Sequence, residues 1–116
     1  MNKRQTGTRY EQFAVRFLEE QGYRILEKNF RCRQGEIDLI ARDGEYLVFL
    51  EVKYRKDDRM GTGGEAVGKL KQGRIIRCAR CYLMRHAEYM ETPCRFDVVS
   101  VLGEKAALYR DAFRTG

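Results

Sequence analysis

The apolar positions along this chain alternate between two periods. Tyr10, Phe13, Ala14, Phe17 and Leu18 recur at helical spacing and Gly22 follows as a C-terminal cap, so the pattern predicts a helix over residues 8–21. A mixed-polarity stretch then predicts a first strand at 23–32. Next come two runs, 35–42 and 45–55, joined at Asp43-Gly44, a strong two-residue turn signal that predicts a hairpin. The segment "KDDRMGTGG" at 56–64 is polar and Gly-rich, and a mobile loop is expected there. Helical spacing returns over about 65–88, with Ile75, Cys78, Ala79, Tyr82 and Leu83 as the buried stripe, and Pro93 bars that helix from continuing. "RFDVVSVL" at 95–102 predicts a further strand, and 107–113 a last short one.

The order is αβββαβ(β). A strand–helix–strand crossover implies at least one parallel pair, hence an α/β fold with a mixed sheet flanked by helices. The strand at 45–55 is apolar on both faces, with Tyr46, Val48, Leu50 and Val52 on one and Leu47 and Phe49 on the other, as a covered central strand would be. At 116 residues a single domain is expected, able to bury about two-thirds of its unfolded surface without disulfides or a metal.

Charge narrows the partners. Lys and Arg total 23 against 17 Asp and Glu, a formal net charge of +6. Such an excess favours an acidic partner, nucleic acid or an anionic membrane surface. No apolar run approaches the roughly 18 residues that would span a bilayer. The polar, basic residues 1–9 precede no apolar core of a secretory signal, so a cytoplasmic protein is expected. The membrane-surface reading is the weaker, because the basic helix carries Gly68 and Gly73 and no large aromatic wedge. Cys78 and Cys81 form a C-x-x-C, but Cys32 and Cys94 stand alone and His86 is the one histidine. Reduced, packed thiols are expected over a zinc or redox site.

The hairpin places acids where apolar residues belong. If Asp43-Gly44 is the two-residue turn, Arg42 pairs with Glu45, Asp38 faces Phe49 and Glu36 faces Glu51. Asp38, Glu51 and Lys53 then share one sheet face. Asp38 and Glu51 become diagonal neighbours, with Cβ atoms about 7 Å apart. Two carboxylates so placed can converge on a divalent cation, which would offset their desolvation and mutual repulsion. The alternative is a solvent-exposed sheet end where Lys53 merely screens the acids. Glu11 admits two readings also. Thr8-Arg9-Tyr10-Glu11 matches a capping box, or Glu11 is aimed at the acid pair from the first helical turn.

These residues carry a resemblance. Glu11, "GEIDLIA" with Asp38, "VFLEVK" with Glu51 and Lys53, "EAVGKLKQGRI" with Lys71, and "CRFDVV" with Asp97 occur in order, and they span nearly the whole chain. Together they resemble the bacterial YraN-like uncharacterised family, a predicted endonuclease group related to archaeal Holliday junction resolvases and the restriction-endonuclease-like fold. The resemblance implies a metal-dependent endonuclease acting on branched or structured DNA. It makes Asp38 and Glu51 the ligands of Mg2+ or Mn2+, Lys53 the catalytic lysine and Glu11 an additional acid. It also implies a homodimer, since paired cleavage of a four-way junction takes two sites. Ile37 stands where a proline often precedes the motif aspartate. Lys69, Lys71, Arg74, Arg77, Arg80 and Arg85 recur along the second helix beside its apolar stripe. Lys71 and Arg74 are the residues expected on a phosphate backbone. The alternative function is a non-catalytic basic nucleic-acid-binding module. Asp97, on a strand, is expected to partner a nearby arginine.

Overall fold

The computed structural model describes residues 3–55 and 67–115, and the side chains from residue 9 onward in the first helix. The elements are α1 (Lys3–Glu20), β1 (Arg24–Cys32), β2 (Gly35–Asp43), β3 (Tyr46–Arg55), α2 (Lys69–Arg85), β4 (Cys94–Leu102) and β5 (Lys105–Phe113). The expected α/β order holds, and the final strand is real and long. The loop expected at 56–64 lies outside the described residues. The five strands lie in sequence order, β1-β2-β3-β4-β5. All pairs are antiparallel except β3 and β4, which run parallel because the α2 crossover returns the chain to the same edge. β3 is therefore central, as its two apolar faces demand.

One helix covers each face. Ala14 and Leu18 of α1 pack on Leu39, Val48, Leu50, Val52, Val99 and Val101. Ile75, Cys78, Ala79 and Tyr82 of α2 pack on Phe30, Ile37, Ile40, Leu47, Phe49 and Phe96. Tyr82 meets Phe30 and Phe49 edge-on, with ring centroids 5.2 and 5.9 Å apart. Leu47, Val48, Phe49 and Leu50 in mid-β3 are almost wholly enclosed. Burying one such side chain contributes roughly 1.5–3 kcal/mol.

Two expectations are corrected. α1 begins at Lys3, so Thr8 stands inside the helix and cannot cap it. The capping-box reading of Glu11 falls with it. The hairpin turn is displaced by one residue: Asp43 pairs with Tyr46, leaving Gly44 and Glu45 as the turn. The physical reason is φ. A turn centred on Asp43-Gly44 asks for positive φ at both, whereas Gly44 alone adopts it, at +60°. That suits glycine at the first central position of a type II′ turn. Moving the turn by one shifts cross-strand pairing by two, so each residue keeps its face. Arg42 therefore faces Leu47, not Glu45.

Candidate active site

The corrected register makes a closer acid pair. One step beyond the last pair, Leu39–Leu50, Asp38 comes level with Glu51 rather than diagonal to it, and the two carboxyl groups interact directly. Glu36 moves away from Glu51 and instead lies 3.7 Å from Arg31 on β1.

The sheet also forks here. The β2–β3 ladder ends at Leu39–Leu50, whereas β2 stays paired with β1 to Gly35 and β3 with β4 to Arg55. Asp38 sits in the fork and bridges it, Oδ2 accepting the Val52 backbone N–H at 2.8 Å. Side-chain alternation breaks at the same place: Leu39 packs on the α1 side and Ile37 on the α2 side. Asn29, across β1 from this break, adopts φ +54°. Its Nδ2 donates to Glu11 Oε1 at 3.2 Å, tying the α1 acid to the sheet.

Glu51 is 4% exposed, an unusual position for a carboxylate. Its counterion is Lys71, whose Nζ contacts Glu51 Oε1 from the first turn of α2. Lys71 was expected on a phosphate backbone; here it reaches the acid pair, with Lys53 beside it. Burial alone would depress the Lys71 amine, but the hydrogen bond and charge of Glu51 outweigh it and raise the amine. Burial pushes the Asp38 carboxyl up to about 7, and the Glu51 charge adds to this while the Val52 N–H opposes it. Asp38 is thus an acid whose proton is favoured first by burial and then by the charge of its acidic neighbour.

Tyr54, one residue beyond Lys53, was missed by sequence reasoning. Its ring lies against Tyr10 of α1, centroids 5.0 Å apart. Burial pushes its phenol up to about 12, reinforced by the charges of Asp38, Glu11 and Glu51 in that order. The Tyr54 phenol thus feels the charge of all three acids. Aromatic residues are common in strands, so the sequence carried no distinct signal for it. Among the described residues no three His, Cys, Asp or Glu side chains form a closed cage for a metal ion. The close pair is Asp38 and Glu51. A cavity of about 750 Å³ lies nearby between Arg9, Tyr10, Phe13 and Arg16 of α1 and the β4–β5 turn at Gly103 and Glu104. The acids do not line it.

Asp97 has the structural role expected of it. It is fully buried, and Arg95 grips both its oxygens at 2.9 Å. Tyr23 donates its hydroxyl to Oδ2 at 2.6 Å, and the Asp111 backbone N–H donates to Oδ1 at 2.9 Å. On α2, Lys69, Lys71, Arg74, Arg77, Arg80 and Arg85 are all exposed. Among the described residues no helix is long and apolar enough to cross a membrane.

Comparison with known proteins gives one family. The family model described as "Uncharacterised protein family UPF0102" matches residues 10–101. The chain is 49% identical to a UPF0102 protein of Lachnoclostridium phytofermentans, over 97% of this chain and 96% of that one. It is 44% identical to one of Nitrosococcus oceani, over 96% and 93% respectively. It is 54% identical to one of Symbiobacterium thermophilum, over 84% and 82%.

Proposed function

The chain belongs to the UPF0102 family, the YraN-like family its motifs resemble, and from that premise we propose that it is a divalent-metal-dependent endonuclease that hydrolyses phosphodiester bonds in branched or structured DNA in the cytoplasm. The observation that carries this reading is the acid pair in the sheet fork. Asp38 and Glu51 meet between two strands, burial and the Glu51 charge together raising the Asp38 carboxyl, with the half-exposed Lys71 ammonium on Glu51 as relief. Such strain has no packing benefit, whereas a cation-binding site needs it.

The donor set fits a hard cation. Carboxylate oxygens suit Mg2+ or Mn2+ better than zinc. Asp38 and Glu51 would hold it, with Glu11 the further acid beside them. A bound cation would supply positive charge at the phosphoryl oxygens and acidify an attacking water. Lys53 orients that water or stabilises the charge that develops on the phosphoryl group. Lys71 neutralises Glu51 while no cation is held and is then free to meet a phosphate. Arg74 and the exposed basic face of α2 lie along the backbone of the substrate. Paired cleavage of a four-way junction would require a two-fold dimer.

The test is single-turnover cleavage of a labelled junction and of matched linear duplex, with saturating Mg2+ or Mn2+, alongside calorimetric metal binding. Asp38→Asn and Glu51→Gln are expected to lose both metal binding and cleavage. Lys53→Ala should keep metal and DNA affinity while cleaving at least about a hundredfold more slowly, the size typical of one lost electrostatic group. A parent-like rate in Lys53→Ala would overturn its catalytic role. No cleavage by the parent on branched, flapped or single-stranded DNA would favour the alternative, a non-catalytic nucleic-acid-binding module. The exposed basic face of α2 is the observation behind that alternative.

A further inference from the structure

A second cluster of reactive groups lies where α2 crosses the β1–β2 turn. Cys32 ends β1 and pairs with Gly35 across a two-residue turn. Cys78 lies beneath it in the buried stripe of α2. Their sulfurs are 2.7 Å apart, and Cys78 Sγ also lies 3.5 Å from the Gly35 carbonyl oxygen. Cys81, one helical turn on, is close enough to act on both thiols. The pattern C-x-x-C suggested a Cys78–Cys81 unit; the fold instead brings Cys32 onto Cys78 from 46 residues away.

The two thiols are unlike. Cys32 is partly exposed and Cys78 is buried. Burial pushes the Cys78 thiol up to about 12, helped by its hydrogen bond to Cys32 and the charge there. Burial would raise Cys32 too, but its hydrogen bonding with Cys78, and then with the backbone at Gln34 and Gly35, outweighs it and lowers the thiol. The exposed sulfur is thus favoured as thiolate and the buried one retains its proton. Reaction at an exposed thiolate with a second thiol in contact is the arrangement that supports exchange.

We propose that Cys32 and Cys78 form a reversible disulfide site, oxidised by low-molecular-weight disulfides, with Cys32 as the attacking thiol and Cys78 as the resolving one. The Cys32 thiolate attacks one sulfur of the small disulfide. That S–S bond breaks, and the first small thiolate leaves and takes up the proton Cys32 released. Capping Cys32 removes the negative charge that held the proton on Cys78. Cys78 then gives its proton to solvent and its sulfur attacks Cys32 Sγ. The mixed S–S bond breaks, and the second small thiolate leaves and takes up a proton. Two protein thiols lose two electrons, and one small disulfide becomes two thiols. The bond so formed fastens α2, and with it Lys71 two turns away, to the β1–β2 hairpin. This proposal stands independently of the nuclease reading.

The test equilibrates the full chain with graded ratios of reduced to oxidised glutathione, followed by acid quenching, alkylation and peptide mapping. Two of the four thiols should be lost, with a Cys32–Cys78 cross-link within one chain that dithiothreitol reverses. Tm of the oxidised form should rise by at least about 5 °C, because the bond closes a long loop of the unfolded chain. Cys81→Ser should still form the cross-link. Cys32→Ser, a change at a partly exposed position, should keep its remaining thiols free even if Cys78→Ser fails to fold. Four alkylatable thiols in the most oxidising buffer would overturn the proposal. So would a bond mapped to Cys78–Cys81, or one formed only between chains.

Discussion

Two carboxylates, Asp97 on β4 and Asp38 on β2, stand on the two strands that flank β3 and are treated in opposite ways. Asp97 is completely enclosed, yet each oxygen has partners: Arg95 on both, the Tyr23 hydroxyl on one and the Asp111 N–H on the other. Arg95 extends the network to Asp43 at 2.7 Å and stacks over the Tyr46 ring at 5.0 Å from its centroid. Asp38 is less buried but faces Glu51, and its one backbone donor is the Val52 N–H. The first arrangement locks β4 to the hairpin turn and to β5. The second leaves negative charge in excess at a place where the strands separate. A buried acid with every lone pair answered holds structure together; one held against another acid is poised to take a cation or a proton.

The sharpest break of this comparison is to remove each acid in turn. Asp97→Ala leaves the Arg95 guanidinium buried without its main partner and should cost about 3–5 kcal/mol, read as a lower urea midpoint. Asp38→Asn should move the other way, stabilising the metal-free chain at pH 8 by on the order of 2 kcal/mol. If both variants are destabilised alike, the two acids are equivalent and the contrast fails.

The pH dependence follows from the direction of the Asp38 shift. Its carboxyl stands at about 7 in the fold against 3.8 for the ordinary group, so the native state binds more protons between those values. Metal-free stability from this group is therefore full below about pH 4 and declines as pH rises to about 7. Denaturation curves across this range should show the decline in the parent and lose it in Asp38→Asn. Saturating divalent cation should flatten it as well, since the cation competes with the proton. The smallest effect is expected at the counterion: Lys71→Met should cost about 1 kcal/mol at pH 7, because the amine is half-exposed and solvent screens the pair. A much larger loss would mean that Lys71 holds the fold rather than balancing Glu51.

The sheet was legible because β3 is apolar on both faces and because a crossover of α2's length must return parallel. The shared face of Glu51 and Lys53 was also readable, and it survived an error in the turn because parity is unchanged by a two-residue shift. The particular φ of Gly44 was not readable, since Asp-Gly and Gly-Glu are both acceptable turn centres. The fork at Asp38, the reach of Lys71 to Glu51 and the contact of Cys32 with Cys78 depend on how α2 sits over β1 and β2. No local pattern encodes that placement. Glu11 was displaced from a cap to the Asn29 contact simply because polar residues 3–8 continue the helix.

The meander of β1, β2 and β3 has a consequence for the order of folding. These strands close through two-residue turns, whereas β3 reaches β4 only across the crossover, Leu47 meeting Cys94. Short loops close first, and contacts distant in sequence form late. Asp38 and Glu51 belong to the early part, and Lys71 arrives with the late one. The β2–β3 hairpin can thus bring its two acids together before α2 packs Lys71 against them, leaving Lys53, on the same strand as Glu51, as the first positive charge near the pair.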